Sequence, residues 1–258
     1  MNEYKKHLVV GVGEVGEAIA SLLEETELNL VTCIDKNTSK GRRIKPGRRF
    51  YAMHVCFPYS DDFKDSVKKY RNLYPSEIVI VHSTVPVGTC EELEVVHSPV
   101  SGKHPNLLEG LKTFTKCFGS SNDDMLVKAV NIFLLDGLGI DCDEYFSASI
   151  TEAMKLWATT QYGWMIIIQK EIYNWCVLNF PESPDIAFYQ IYEQGNSMYN
   201  RGYCELKNWK YRLPILDNMP GPIGGHCVIP NLNLFEDKTT TLVEYLKMYN
   251  DRLKNSET

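Results

Sequence analysis

The stretch KHLVVGVGEVGEAIASLLEE, residues 6 to 25, limits the fold more than any other part of this 258-residue chain. Its apolar run ends at Gly11, and Val15, Ala18, Ile19, Leu22 and Leu23 then recur at helical spacing. It therefore reads as a buried strand, a glycine turn and an amphipathic helix. Gly11, Gly13 and Gly16 make GxGxxG, a weak pattern by itself. Its place between strand and helix, with a second apolar strand, LNLVTCID, ending in Asp35, turns it into a strong one. One glycine permits the tight turn, one lets backbone N–H groups approach a pyrophosphate, and one brings the helix close to the strand. The helix N-terminus then faces the anion. A carboxylate at the distance of Asp35 accepts hydrogen bonds from both ribose hydroxyls and repels a 2′-phosphate, which favours NAD over NADP. Lys36, Lys40, Arg42 and Arg43 follow closely and could offset such a phosphate, and an Asp at a strand end also suits plain turn chemistry.

Strands and helices go on alternating: MHVCFP, DDFKDSVKKYRNL, EIVIVHST, EVVHSP, TFTKCFGS, DDMLVKAVNIFLLDGL and GIDC. The expected architecture is α/β, a Rossmann-type, doubly wound, mostly parallel sheet over residues 1–145 followed by an all-α domain over 146–258. Ligands of such sheets bind beyond the carboxyl ends of the strands. Three polar clusters fall there: CFPYS at 56 to 60, HSTVPVGT at 82 to 89 and HSPVSGKHPNLLEG at 97 to 110. The expected cofactor contacts are accordingly Gly11, Gly13, Glu14, Val15, Gly16, Asp35, Pro58, Ser83 and Thr84.

From Ser147 the pattern SASITEAMKLWATTQYGWMIIIQKEIYNWCVLNF predicts one long helix, capped by Ser147 or Ser149, with Gly163 as a place to bend. Glu152, Lys155, Thr159 and Tyr162 share one face. On spacing alone, an exposed Glu152–Lys155 ion pair worth a few tenths of a kcal/mol accounts for that stripe. A segment rich in tyrosine, asparagine and glycine follows, whose rings suit sugar contacts and helix–helix interfaces equally. The amphipathic TTTLVEYLKMYNDRLKN closes the chain.

A hydrophobic content of 44% and a charged content of 23% allow a full core and exclude a disordered or fibrous class. The formal charge of -6 argues against a nucleic-acid surface. The basic run KNTSKGRRIKPGRR reads as a solvated loop or a phosphate contact. Eight cysteines occur without a CxxC pair, which speaks against zinc and for a reduced, cytoplasmic setting. No signal peptide or membrane span is expected.

With the glycine turn, HSTVPVGT, the lysine helix and GGHC in this order, the sequence resembles the UDP-glucose/GDP-mannose dehydrogenase family. It also resembles the wider superfamily of 6-phosphogluconate and 3-hydroxyacid dehydrogenases. The resemblance implies NAD as cofactor, a sugar-like small-molecule substrate and a homodimer. It makes Cys227 the catalytic thiol and Lys155 the helix lysine. Thr84 matches the threonine of the STVP motif and Glu109 a glutamate before a glycine. Two positions depart: Thr159 stands where the family has asparagine, and Asn231 where it has aspartate. Asn106 lies near the place of a second family glutamate. The family's third, nucleotide-sugar-binding domain is not expected in this chain, which leaves the nucleotide site open. SPVSG, residues 98 to 102, resembles the substrate loop of 3-hydroxyacid dehydrogenases, which need no cysteine.

Hydride removal from an alcohol needs a base for the hydroxyl proton and a donor for the developing oxyanion. Lys155 suits either role, and as a base it must be held neutral by burial or a nearby cation. Thr84 or Thr159 would orient a hydroxyl or a water. A Cys227 thiolate attacking the aldehyde gives a thiohemiacetal, then a thioester, then an acid. His226 adjoins the thiol and is a candidate for lowering its pKa. Two other readings stay open, a two-electron 3-hydroxyacid-type dehydrogenase and an NAD-binding protein without catalysis.

Overall fold

The computed structural model describes residues 4–37, 39–102, 104–224 and 227–255. The chain divides into two compact units, Met1–Leu156 and Trp157–Thr258. In the first, strands β1 (Lys5–Val10), β2 (Asn29–Ile34), β3 (Phe50–Val55), β4 (Ser76–Val81), β5 (Val96–His97), β6 (Lys116–Gly119) and β7 (Cys142–Tyr145) form one sheet in the order β2-β1-β3-β4-β5-β6-β7. Every neighbouring pair is parallel except β5 with β6. Helices α1 (Glu14–Leu23), α2 (Phe63–Leu73), α3 (Thr89–Leu93), α4 (Leu107–Thr113) and α5 (Asp123–Leu134) connect them. This is the doubly wound, mostly parallel sheet that the alternating pattern predicts.

Covering helices explain why the central strands read as nearly continuous apolar runs: both faces of the sheet are buried. On one face Val9, Ala52, Ile78, Ile80 and Val96 pack with Ile19, Leu22 and Leu23 of α1 and Phe133 of α5. On the other, Leu8, Val10, Met53, Val79 and Val81 pack with Phe63 and Val67 of α2 and Cys90 and Leu93 of α3. Helix α5 starts on a side-chain cap, the Asn122 Oδ1 accepting from Met125 N at 3.0 Å, with Asp123 and Asp124 in its first turn.

Helix α6 (Ala148–Asn179) is continuous in helical geometry through Gly163, and the division between the units falls within it. Its start is fixed from α3. The Glu91 carboxylate accepts from Ala148 N at 2.8 Å and from the Ser147 hydroxyl at 2.6 Å, and the Ser147 oxygen in turn accepts from Ser149 N. Those bonds hold the Glu91 carboxyl below its ordinary range, the Ser147 hydroxyl contributing most.

The second unit contains the rest of α6 with α7 (Pro184–Phe188), α8 (Gly195–Glu205), α9 (Val228–Leu232) and α10 (Thr241–Asn255). A π-helical turn, Tyr189–Gln194, joins α7 to α8. Gln169 and Lys170, both buried, tie the loop at Asn218 and Met219 to α6. Trp164 stacks on Tyr245 with ring centroids 5.5 Å apart. Tyr192 is buried, stacks on Phe188 and accepts from Leu216 N, so this part of the tyrosine-rich segment serves packing.

Gly163 is where α6 admits its neighbours: a Cβ there would lie 2.7 Å from Val228 Cγ1 and 2.8 Å from Leu246 Cδ1. Alanine would gain about 1 kcal/mol of helix propensity. Forcing a methyl into that packing costs about 1–3 kcal/mol. We expect Gly163→Ala to lower unfolding free energy by about 1 kcal/mol in a denaturant titration, the packing cost exceeding the propensity gain. A more stable variant would show that α9 and α10 do not seat on this residue.

Candidate functional site

The glycine turn follows β1 directly. Gly11 has φ +91, and a Cβ on it would lie 2.8 Å from Phe57 N. A Cβ on Gly16 would lie 1.9 Å from the Gly11 carbonyl oxygen, so this position admits no side chain at all. Gly13, the residue preceding α1, has nothing within 4 Å of where its Cβ would be. The open side of the turn is thus the side where a ligand's backbone-contacting group would lie, while the other two glycines face protein.

Asp35 leaves the end of β2 and bonds back to this turn. Its Oδ2 accepts from Val12 N at 2.6 Å and its Oδ1 from Asn37 N at 2.7 Å. A pocket of about 330 Å³ opens beside it, lined by Gly11, Asp35, Pro58, Tyr59, Ser60 and Tyr70 among others. From the basic run, Lys40 donates to Val12 O at 3.4 Å and lies 3.7 Å from Glu17, which folds this segment against the turn. The groups present fit a dinucleotide: a bare Gly13 before the ten-residue α1 and a carboxylate at the pocket wall.

Not all of the expected cofactor contacts face that pocket. Gly11, Asp35 and Pro58 line it. Val15 packs against the apolar core, and the Glu14 carboxylate pairs with the His104 ring. Ser83 donates its hydroxyl to Phe57 O at 2.6 Å, which fastens the loop after β4 to the loop after β3. Thr84 beside it is half-buried.

The stripe on α6 is not an exposed ion pair. Glu152 has no exposed surface, and its two oxygens accept from Gly88 N at 2.6 Å and Cys90 N at 2.7 Å, capping α3. Burial raises its pKa, and the backbone donors partly offset that rise. The tertiary fold supplies those N–H groups, which helix spacing cannot show. Lys155 instead donates to Val100 O at 2.8 Å, within SPVSG. Glu109 is exposed on α4 and lines a groove along α1 with Glu17, Pro105 and Lys112, away from the pocket of Gly11 and Asp35. Asn106 shares that groove.

In the second unit, Cys227 immediately precedes α9, is half-buried, and its carbonyl accepts from Asn231 N at 3.3 Å. Thr159 and Asn231, the two departures from the resembled family, are hydrogen-bonded to each other, Nδ2 to Oγ1, at 3.3 Å. His226 lies outside the described residues. Every described cysteine is a free thiol, and among the described residues no three metal-ligating side chains gather.

The sequence reading missed Lys116. Its amine is buried, donates to Ser98 O at 3.2 Å and lies 3.4 Å from His82 Nδ1. Desolvation pushes it from 10.5 down to about 7, and the charge of Lys155 acts in the same direction. The only signal in the sequence was a lysine in the strand TFTKCFGS at a position that alternates inward.

No protein-family model and no curated protein matches the sequence. Solved structures share its fold. UDP-D-ManNAc dehydrogenase from Pyrococcus horikoshii superposes with a TM-score of 0.75 at 15% identity, over 96% of this chain and 68% of its own. UDP-glucose dehydrogenase from Pyrobaculum islandicum gives 0.68 at 14% identity, over 99% and 69%. The 3-hydroxyisobutyrate dehydrogenase of Mycobacterium tuberculosis gives 0.63 at 15% identity, over 96% and 93%. The chain thus has the fold of these dehydrogenases and spans about two thirds of the sugar-nucleotide enzymes. Among the described residues no helix is long and apolar enough to cross a membrane.

The displaced ionisation of Lys116 sets a pH dependence. The unfolded chain keeps this proton up to 10.5 and the folded chain only to about 7, so between them the unfolded state binds more protons and stability rises with pH. We expect unfolding free energy to increase from pH 7 towards 9, the ordinary value of the thiols, and Lys116→Met to flatten that increase. Parallel slopes in the two proteins would show that the amine is charged in the folded state.

Proposed function

We propose that this chain is an NAD-dependent oxidoreductase that oxidises a sugar-like primary alcohol to the acid. The observation that carries the reading is the glycine turn: Gly13 bare, Gly16 closed against Gly11 O, and Asp35 bonded to Val12 N at the pocket wall. The fold shared with sugar-nucleotide dehydrogenases supports it. The backbone of the turn and Asp35 would hold the dinucleotide, which when bound supplies a hydride acceptor. NAD is proposed over NADP because the Asp35 carboxylate would repel a 2′-phosphate.

Lys155 of helix α6 is the proposed base or oxyanion donor, its amine oriented by its bond to Val100 O. Thr84 is proposed to orient the substrate hydroxyl, and Glu109 to serve the same reaction as a substrate contact. Thr159 and Asn231 are proposed to position water through their mutual bond. Cys227 is the proposed nucleophile: its sulfur adds to the aldehyde carbon, the thiohemiacetal loses a second hydride to give a thioester, and water releases the carboxylate and the thiol. The balance is one alcohol, two NAD and one water giving one carboxylate, two NADH and three protons.

A second reading, a two-electron oxidation without the thiol, is favoured by Lys155 resting on the SPVSG segment and by the 93% coverage of the 3-hydroxyisobutyrate enzyme. We also propose a homodimer. Ile168, Trp175, Leu178, Ile186, Ile191 and Met198 of the helical unit are exposed apolar side chains of the kind that interfaces cover.

Assays with UDP-glucose, GDP-mannose and 3-hydroxyisobutyrate as trial alcohols separate the readings. Two NADH per substrate are expected, with Cys227→Ser stopping after the first; full turnover by Cys227→Ala would establish the two-electron reaction. Lys155→Met should lower kcat by about 10²–10⁴-fold on either reading. For the cofactor, Gly13→Val should keep its Tm yet weaken NADH binding, about tenfold or more in fluorescence titration. Gly16→Val should lose the fold itself. Unchanged NADH affinity in Gly13→Val would remove the turn from the site.

A further inference from the structure

A row of buried imidazoles crosses the sheet. His7, His54 and His82 are fully or almost fully buried. His7 pairs in register with Ala52 and His54 with Ile80, so the row climbs two residues per strand towards the carboxyl edge. Asn29 Nδ2 donates to Leu23 O at 3.0 Å, and Asn29 Oδ1 faces His7 Nε2 at 3.1 Å. His7 Nδ1 and His54 Nε2 are 3.0 Å apart, as are His54 Nδ1 and His82 Nε2. His82 Nδ1 ends the row 2.8 Å from Ser98 O.

Counting hydrogens shows that this row is one short. It consists of five contacts between Leu23 O and Ser98 O, two carbonyls that only accept. The Asn29 amide fills one contact whichever way it is turned, and three neutral imidazoles, with one N–H each, fill three more. One contact therefore places acceptor against acceptor, and a change of tautomer only moves that fault to the next ring. The Ser98 hydroxyl is buried and bonds to none of the described residues, so it does not supply the hydrogen. Lys116 does carry one, 3.4 Å from His82 Nδ1 and 3.2 Å from Ser98 O.

We propose that Lys116, His82, His54 and His7 form a single proton-binding site that holds one proton in common. When Lys116 keeps it, the ammonium covers both Ser98 O and a bare His82 Nδ1. When His82 takes it, the His82 N–H donates to Ser98 O, every contact of the row is filled, and Lys116 is left as the neutral amine. One N–H bond breaks and one forms, and the site stays singly positive. Phe133 serves both positions, its ring centroid 5.2 Å from the Lys116 amine and 6.1 Å from the rings of His54 and His82.

The surroundings admit a single charge. Among the described residues the groups that act on Lys116 besides His82 are the thiols of Cys56, Cys117 and Cys142 and the amine of Lys155. His97 acts on His82 from β5, and Lys5 and Asp136 act on His7 at the far end with opposing signs. Burial and mutual repulsion hold His54 and His82 well below their ordinary range, which excludes a second proton. The site itself needs no catalysis; resting on the proposed function, its use is as a store for a proton set free by alcohol oxidation, because its head lies at the carboxyl edge of the sheet.

The test needs neither substrate nor cofactor, so its outcome is separate from that of the dehydrogenase reading. Long-range proton–nitrogen spectra of the full chain, with ¹⁵N-labelled histidine, are followed from about pH 5 to 9, spanning the ordinary histidine range. The ring nitrogens of His7, His54 and His82 should show averaged donor and acceptor character and move together at one midpoint near 7. Rings locked in one tautomer throughout, or titrating at separate midpoints, would overturn the proposal. Lys116→Met should shift the common midpoint down by about one pH unit or more, because the proton then rests on imidazole alone in a buried setting. Lys116→Arg should remove the transition, since a guanidinium keeps its charge. An unshifted midpoint in a folded Lys116→Met protein, checked by circular dichroism, would exclude Lys116 from the site; if that variant does not fold, the unsubstituted chain decides alone.

Discussion

Everything in the first unit hangs on one backbone contact, the approach of helix α1 to the turn that precedes it. A single carbon on Gly16 would lie 1.9 Å from Gly11 O, so the helix can run down the sheet from this point only because residue 16 lacks a side chain. That approach aims the N-terminus of α1 beyond the carboxyl edge of β1. It also leaves Gly13 bare on the open side, with nothing within 4 Å of where a Cβ would be. Asp35 completes the arrangement from the neighbouring strand, because its bond to Val12 N holds the turn to the end of β2.

A second set of constraints joins the start of α6 to the sheet. Two carboxylates do this in opposite directions: Glu91 of the α3 segment receives the first N–H of α6, and Glu152 of α6 receives the N–H groups of Gly88 and Cys90 at the start of α3. Each helix thereby satisfies donors the other cannot. One turn on from Glu152, Lys155 donates to Val100 O.

The interior of the sheet is unusual in being polar along one diagonal. Buried polar groups in protein cores are ordinarily paired, and an unpaired one is costly. Here the pairing is nearly complete but one hydrogen short, and the missing hydrogen is adjacent to an amine that burial has brought to about 7. The Lys116 amine lies over the rings of Phe118 and Phe133, and Phe133 also packs edge-on against His54 and His82.

Much of the architecture is legible in the sequence. The alternation of apolar runs with helical periods from His7 to Cys142, and the glycine spacing with Asp35, determined the parallel sheet, its helices and the place of the turn, because period and glycine placement are local properties. The long α6 and the terminal α10 were legible for the same reason. Tertiary structure decided what local pattern does not contain: Glu152 buried as a cap, Ser83 bonded to Phe57 O, Glu109 turned to a groove along α1, and Thr159 paired with Asn231 across 72 residues of chain. Three histidines, on β1, on β3 and just after β4, each unremarkable in its own segment, became one hydrogen-bonded row with Lys116 only when the strands took their register. Periodicity records which way a side chain faces; only the folded neighbours supply the donor or acceptor that it meets.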